Sequence, residues 1–134
     1  MSERLFTPDE VNELIPKLSE LMDRARERHR QASALQQHLR EEQARIQVSG
    51  GGLIDQRDWK ARAERLDGLA IEVRQLLQEI LDLGGVTKDL EMGLVDFPGR
   101  VGDEIVNLCW KHGESAVGFW HGFDEGYAQR KPLP

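Results

Sequence analysis

Residues 46–59 read Ile46-Gln47-Val48-Ser49-Gly50-Gly51-Gly52-Leu53-Ile54-Asp55-Gln56-Arg57-Asp58-Trp59. Three consecutive glycines lose too much backbone entropy to stay helical and readily accept positive φ, so a helix must end and the chain must turn here. Upstream, Leu14, Leu18, Leu21, Ala25, Ala32, Leu35, Leu39 and Ile46 recur in a four-three alternation, with Arg28 and Glu42 in the remaining seam positions. Downstream, Trp59, Ala63, Leu66, Ala70, Val73, Leu77 and Ile80 repeat the same spacing. Two heptad seams joined by a short loop specify an antiparallel helical hairpin, a coiled coil folded back on itself. Pairing outward from the loop sets Ile46 beside Trp59 and Ala25 beside Ile80, and the small alanines let the helices approach closely.

The ends of both helices are marked. In Thr7-Pro8-Asp9-Glu10, Thr7 supplies an N-cap, Pro8 suits the first helical position and Glu10 completes a capping box. Helix one is therefore expected over 7–48, with a kink near residues 12 to 16 where Pro16 removes a backbone hydrogen bond. Helix two is expected over 55–83, starting between Asp55 and Asp58 and closed by Gly84-Gly85. Helix one is the longer by two to three turns, so Leu14 to Leu21 must be covered by something other than helix two. Leu69, Leu76 and Leu81 widen the stripe of helix two beyond a bare seam, which points to a further partner: the C-terminal part, or a second copy in a four-helix homodimer. Arg28 and Glu42 on the seam each require a counterion, on helix two or across that dimer.

Beyond Gly85 the periodicity becomes strand-like. Gly93 to Pro98, Glu104 to Trp110 and Ala116 to His121 are short apolar runs separated by Val101-Gly102-Asp103 and His112-Gly113-Glu114 turns. The expected fold class is α+β, mainly α: one domain over 1–134, a long hairpin followed by a three-stranded antiparallel β-meander over 93–121 and a C-terminal tail over 122–134 with a short turn of helix. Val95, Phe97, Leu108, Trp110 and Phe119 are assigned to the sheet face that packs on the helices, and Asp96, Asn107 and Cys109 to the other.

The 134 residues carry a formal charge of −6, which argues against a protein that wraps nucleic acid by neutralising phosphates. The cluster Arg24, Arg26, Arg28, His29, Arg30 is interleaved with Glu20, Asp23 and Glu27 and reads as a solvated helix face. A single cysteine, Cys109, forms no internal disulfide, and no stretch has the length of a membrane span, so a cytoplasmic location is expected.

Phe6-Thr7, Glu10, Asn12 and Leu14-Ile15-Pro16, followed in order by Gly93-Leu94-Val95-Asp96-Phe97-Pro98, Leu108-Cys109-Trp110, Gly113-Glu114, Trp120-His121, Gly126 and Arg130, resemble the bacterial domain of unknown function family 2203. The resemblance spans nearly the whole chain. It implies one domain and brings no activity, substrate or catalytic residue with it.

No catalytic motif stands out, and the glycine run lacks the Lys-Ser or Lys-Thr of a phosphate-binding loop. Two sets of residues carry candidate chemistry. Asp96, Cys109, His112, Glu114 and His121, with Asp124 nearby, are the residue types that ligate transition metals, and neighbouring strands bring opposite residues to about 4.5–5.5 Å. The plainer reading is structural hydrogen bonding for Asp96 and His121 and a small buried apolar role for Cys109. A ligand pocket is the second candidate, with Trp110 and Trp120 as walls and Asp96, Arg100 and Arg130 as polar anchors; the plainer reading of the tryptophans is core packing. Two functions from different classes follow: a non-enzymatic coiled-coil interaction protein that self-associates, or a small metal- or ligand-binding protein, an enzyme included, working from the meander.

Overall fold

The computed structural model describes residues 4–49 and 56–134. The glycine turn of residues 50–52 lies outside the described residues, but the helices on either side are antiparallel neighbours: α1 over Pro8–Ser49 and α2 over Gln56–Leu83. The capping box forms at the start of α1, where the Thr7 N–H donates to Glu10 Oε1 at 2.9 Å and the Glu10 N–H donates to Thr7 Oγ1 at 3.2 Å. Pro16 sits inside α1 without ending it. At the other end of the pair, Gly84 takes φ +109° while its N–H reaches the Leu81 carbonyl at 2.9 Å and the Gly85 N–H reaches the Ile80 carbonyl at 3.2 Å. This paired arrangement stops α2 and turns the chain toward the sheet. A side chain at Gly84 would also be driven into the Phe6 ring, whose nearest atom lies 2.3 Å from a Cβ built there.

Both seam charges find partners on α2 within the same chain: Arg28 Nε lies 3.3 Å from Glu72 Oε2, and Glu42 pairs with Arg62. The α2 seam differs from the sequence reading. Leu69 and Leu76 are 1 % and 4 % exposed and face α1, whereas Ala70 is exposed. The alternation through Arg62, Leu66, Leu69, Val73, Leu76 and Ile80 thus carries the contact. Leu69 offers far more apolar area than Ala70, and burial follows the larger residue. Of the three leucines that had suggested a second copy, Leu69 and Leu76 are consumed inside the chain, and Leu81 stays half exposed.

The C-terminal part is a five-stranded antiparallel meander in the order β1 (Val86–Asp89), β2 (Leu94–Val101), β3 (Glu104–Lys111), β4 (Phe119–His121) and β5 (Lys131–Pro132). The expected three strands are its centre. The additions are β1, which pairs with β2, and β5, formed by the tail after a turn of 3-10 helix at Tyr127–Gln129. One face of the sheet covers the overhang of α1. Val95, Phe97, Val106, Leu108 and Trp110 join Phe6, Val11, Ile15, Leu18, Leu21 and Met22 in one buried cluster with Leu76 and Ile80. Phe6 meets Phe97 edge-on at 5.2 Å between ring centres, and the Asn12 side chain accepts the Val117 N–H at 2.8 Å, tying α1 to the approach to β4. Phe119 is a correction: it lies opposite Cys109 in the ladder and so faces away from the helices, while Trp120, opposite Leu108, packs against the core. Strand residues alternate faces with a period of two, so a single position of register reverses the assignment.

Candidate metal centre

Asp96, Cys109 and His121 belong to three successive strands, and the antiparallel register brings them together. Asp96 is the ladder partner of Cys109, and His121 pairs with Asn107, two residues along β3 from Cys109 and on the same face. All three point to the side of the sheet opposite the helices, yet they are 3 %, 1 % and 4 % exposed. One ligand-type atom from each, a carboxylate oxygen, the thiol sulfur and an imidazole nitrogen, lie within 4.8 Å of one another.

The hydrogen bonds of His121 decide what the cluster can hold. Its Nδ1 lies 2.8 Å from the Gly122 carbonyl oxygen, which can only accept, so Nδ1 carries the proton. In the neutral ring Nε2 is then a bare lone pair, and it faces Asp96 Oδ2 at 3.0 Å. Despite that approach, neither Asp96 oxygen has an aligned hydrogen-bond donor among the described residues, and both are buried. A buried acceptor left without a donor costs about 1–3 kcal/mol. Two acceptors facing each other inside the protein need positive charge between them, either a proton that makes His121 an imidazolium or a cation that both ligate. A carboxylate, a thiol and an imidazole are donor types that zinc and related ions accept.

Burial, followed by the charge of Asp96, pushes the Cys109 thiol up to about 11, so at neutral pH it keeps its proton unless a cation displaces it. Arg130 acts in the other direction. Its Nη1 lies 4.0 Å from Cys109 Sγ, and its guanidinium is stacked over Phe119 at 4.0 Å and Tyr127 at 4.6 Å while pairing with Glu114 at 3.3 Å. This cation is held rigidly beside the sulfur, where it favours thiolate over thiol.

The remaining candidates lie elsewhere. Glu114 serves the turn after β3: its carboxylate accepts the Lys111 N–H at 2.7 Å and holds Arg130, and its carbonyl accepts the Trp110 indole N–H at 2.9 Å. His112 belongs to the helix side, where its Nδ1 accepts from Arg26 Nη1 at 2.8 Å and its Nε2 therefore donates to Asp23. Trp110 and Trp120 face the core, and Arg100 is exposed at the far end of β2, opposite Ile105. Asp124 is exposed. The ligand set read from the sequence is thus split across the sheet, with only Asp96 and Arg130 beside the cluster. Residues the sequence reading did not single out also border it: Lys88 and Phe123 line the hollow above Asp96, Cys109 and His121, together with Tyr127. Lys88 sits on β1, whose four residues are too short to show strand periodicity.

Fold and cluster together define a helical-hairpin protein with a small antiparallel sheet carrying a buried Asp-Cys-His constellation on its free face. The family model described as an uncharacterized conserved protein, DUF2203, matches residues 4–133, and the chain belongs to that family. No curated protein and no solved structure matches the chain. No described helix is long and apolar enough to cross a membrane.

Proposed function

We propose that this is a small metal-binding protein whose centre is Asp96, Cys109 and His121, with zinc or a similar borderline divalent ion as the occupant. The observation that carries this reading is the pair of buried Asp96 oxygens without donors, facing the His121 ring nitrogen that is not committed to the Gly122 carbonyl. The histidine is arranged as metal-ligating histidines are, with its other ring nitrogen committed to a backbone carbonyl that sets tautomer and orientation. Three protein ligands leave one tetrahedral position open, the pattern of sites where a water or a substrate completes the shell. The three residues line a hollow of about 150 Å³, which would give a further ligand room.

The test is titration of the untagged protein with zinc against a chromophoric chelator, together with cobalt substitution. The expected result is one ion per chain, thiolate-to-cobalt charge-transfer absorption, and loss of that absorption in Cys109→Ser. Absence of stoichiometric binding by zinc, cobalt, nickel or iron would remove the reading. Self-association through the hairpin has less support, because Leu69 and Leu76 are buried against α1. Ile71 and Leu81, 46 % and 50 % exposed, are what α2 still offers a second copy, and light scattering showing only monomer at high micromolar concentration would exclude that role.

A further inference from the structure

The free face of the sheet holds more than the three ligating residues. The hollow above them continues into a larger one of about 590 Å³ toward the end of α2, and the two share Lys88, Asp96, Asn107 and Phe123. The larger hollow alone falls within the range of small-molecule sites. Asp96 forms part of the floor of both.

We propose that this cleft binds a small organic carboxylate with an apolar tail, the carboxylate placed over the metal centre and the tail directed toward α2. The orientation of the carboxylate rests on the metal-centre reading; the cleft and its two unlike ends do not. At one end stands Lys88. The β1–β2 register shifts between Thr87 and Asp89, so Lys88 is the extra residue of a β-bulge, a device that re-aims a side chain out of the ladder. Its ammonium has no ion pair or hydrogen bond among the described residues, whereas the other cation on the rim, Arg4, is engaged by Glu10 at 3.0 Å. The Asn107 amide, beside His121 across the β3–β4 ladder, is likewise without a hydrogen-bonding partner among the described residues. Of the acids that border the cleft, Glu125 is engaged by the Gly122 N–H and Lys131, and Asp82 by Gln78, while Asp96 on the floor is the carboxylate whose charge the metal-centre reading assigns to the bound ion. One ammonium, one amide and one open metal position match the two oxygens and single charge of a carboxylate.

The other end is apolar. Leu81, Val86 and Phe123 are 50 %, 42 % and 62 % exposed, and all three line the larger hollow. Large apolar side chains left in water singly need no explanation, but their convergence on one concavity marks a binding surface.

The experiment is calorimetric titration of acetate, butyrate, hexanoate and octanoate into zinc-loaded and metal-free protein. The expected result is affinity that rises about fourfold per added methylene. Phe123→Ala should flatten this rise, and Lys88→Met should weaken every member about tenfold while leaving the rise intact. Both substitutions are at exposed positions, and an unchanged melting temperature verifies folding. Equal affinity across the series, or a rise that survives Phe123→Ala undiminished, overturns the proposal. Zinc binding without a chain-length dependence removes the cleft and leaves the metal centre standing. A chain-length dependence that requires Lys88 in a protein that binds no metal removes the metal centre and leaves the cleft.

Discussion

The two faces of the sheet are built from the same strands, one residue apart, for opposite purposes. Toward the helices stand Val95, Phe97, Leu108 and Trp110, each fully buried, interlocked with α1 and α2. Away from them stand Asp96, Cys109 and His121, nearly as buried but polar, with two carboxylate oxygens that find no donor. Apolar residues of similar size would suit the second face better if stability were its only purpose, since buried polar groups rarely repay the loss of water. The difference teaches where to look for function: the inner face is explained by packing, and the outer face is not.

The most severe way to probe the contrast is Phe97→Ala on the inner face. Deleting this ring should cost about 3–5 kcal/mol, measured by urea unfolding, because the cavity it leaves is lined by residues of both layers. A loss below about 1 kcal/mol would mean that the sheet and helices are not held by a common core. Asp96→Asn inverts the pattern: zinc affinity should fall at least tenfold while stability in the absence of metal stays level or rises, because the amide can donate toward His121 Nε2. A metal-free protein strongly destabilised by this change would instead place Asp96 among the structural residues. His112→Ala, on the helix side, should cost about 0.5–1.5 kcal/mol by freeing Arg26 and the exposed Asp23, with zinc affinity unchanged. Coupling between that loss and the affinity would blur the separation of the faces. The smallest effect belongs to Glu10, held below its ordinary 4.5 chiefly by the Thr7 N–H and then by Arg4. A lowered carboxylate stabilises the fold above its unfolded value and ceases to do so as pH falls through the folded one. The stability difference between the wild type and Glu10→Gln should therefore be present at pH 7 and vanish in acid, in thermal melts across that range.

Much of this was readable along the chain. The capping box at Thr7 and Glu10, the start of α2 at Gln56, its stop at Gly84-Gly85 and the two turns at Gly102 and Gly113 are local events decided by a few adjacent residues. The cover over Leu14 to Leu21 followed from a difference in helix length. Other assignments depended on partners distant in sequence. Phe119 and Trp120 lie in a strand of three residues, too short for alternation to show which faces inward, and pairing with Leu108 and Cys109 decided it. The strands β1 and β5 have four and two residues and exist because β2 and β4 offer edges to pair with. Of the residues named as metal-ligating, Asp96, Cys109 and His121 converge, while His112 and Glu114 are engaged by α1 and Arg130.

By itself, then, the sequence determined the hairpin, the meander and the residue types able to ligate a metal, because capping, glycine turns and hydrophobic period act over a few residues. The tertiary structure alone decided that Leu69 rather than Ala70 meets α1, that Trp120 rather than Phe119 faces the core, and that a carboxylate, a thiol and an imidazole from three strands share one buried spot. Those outcomes turn on register, and register is set by the summed packing of both layers and by no residue singly.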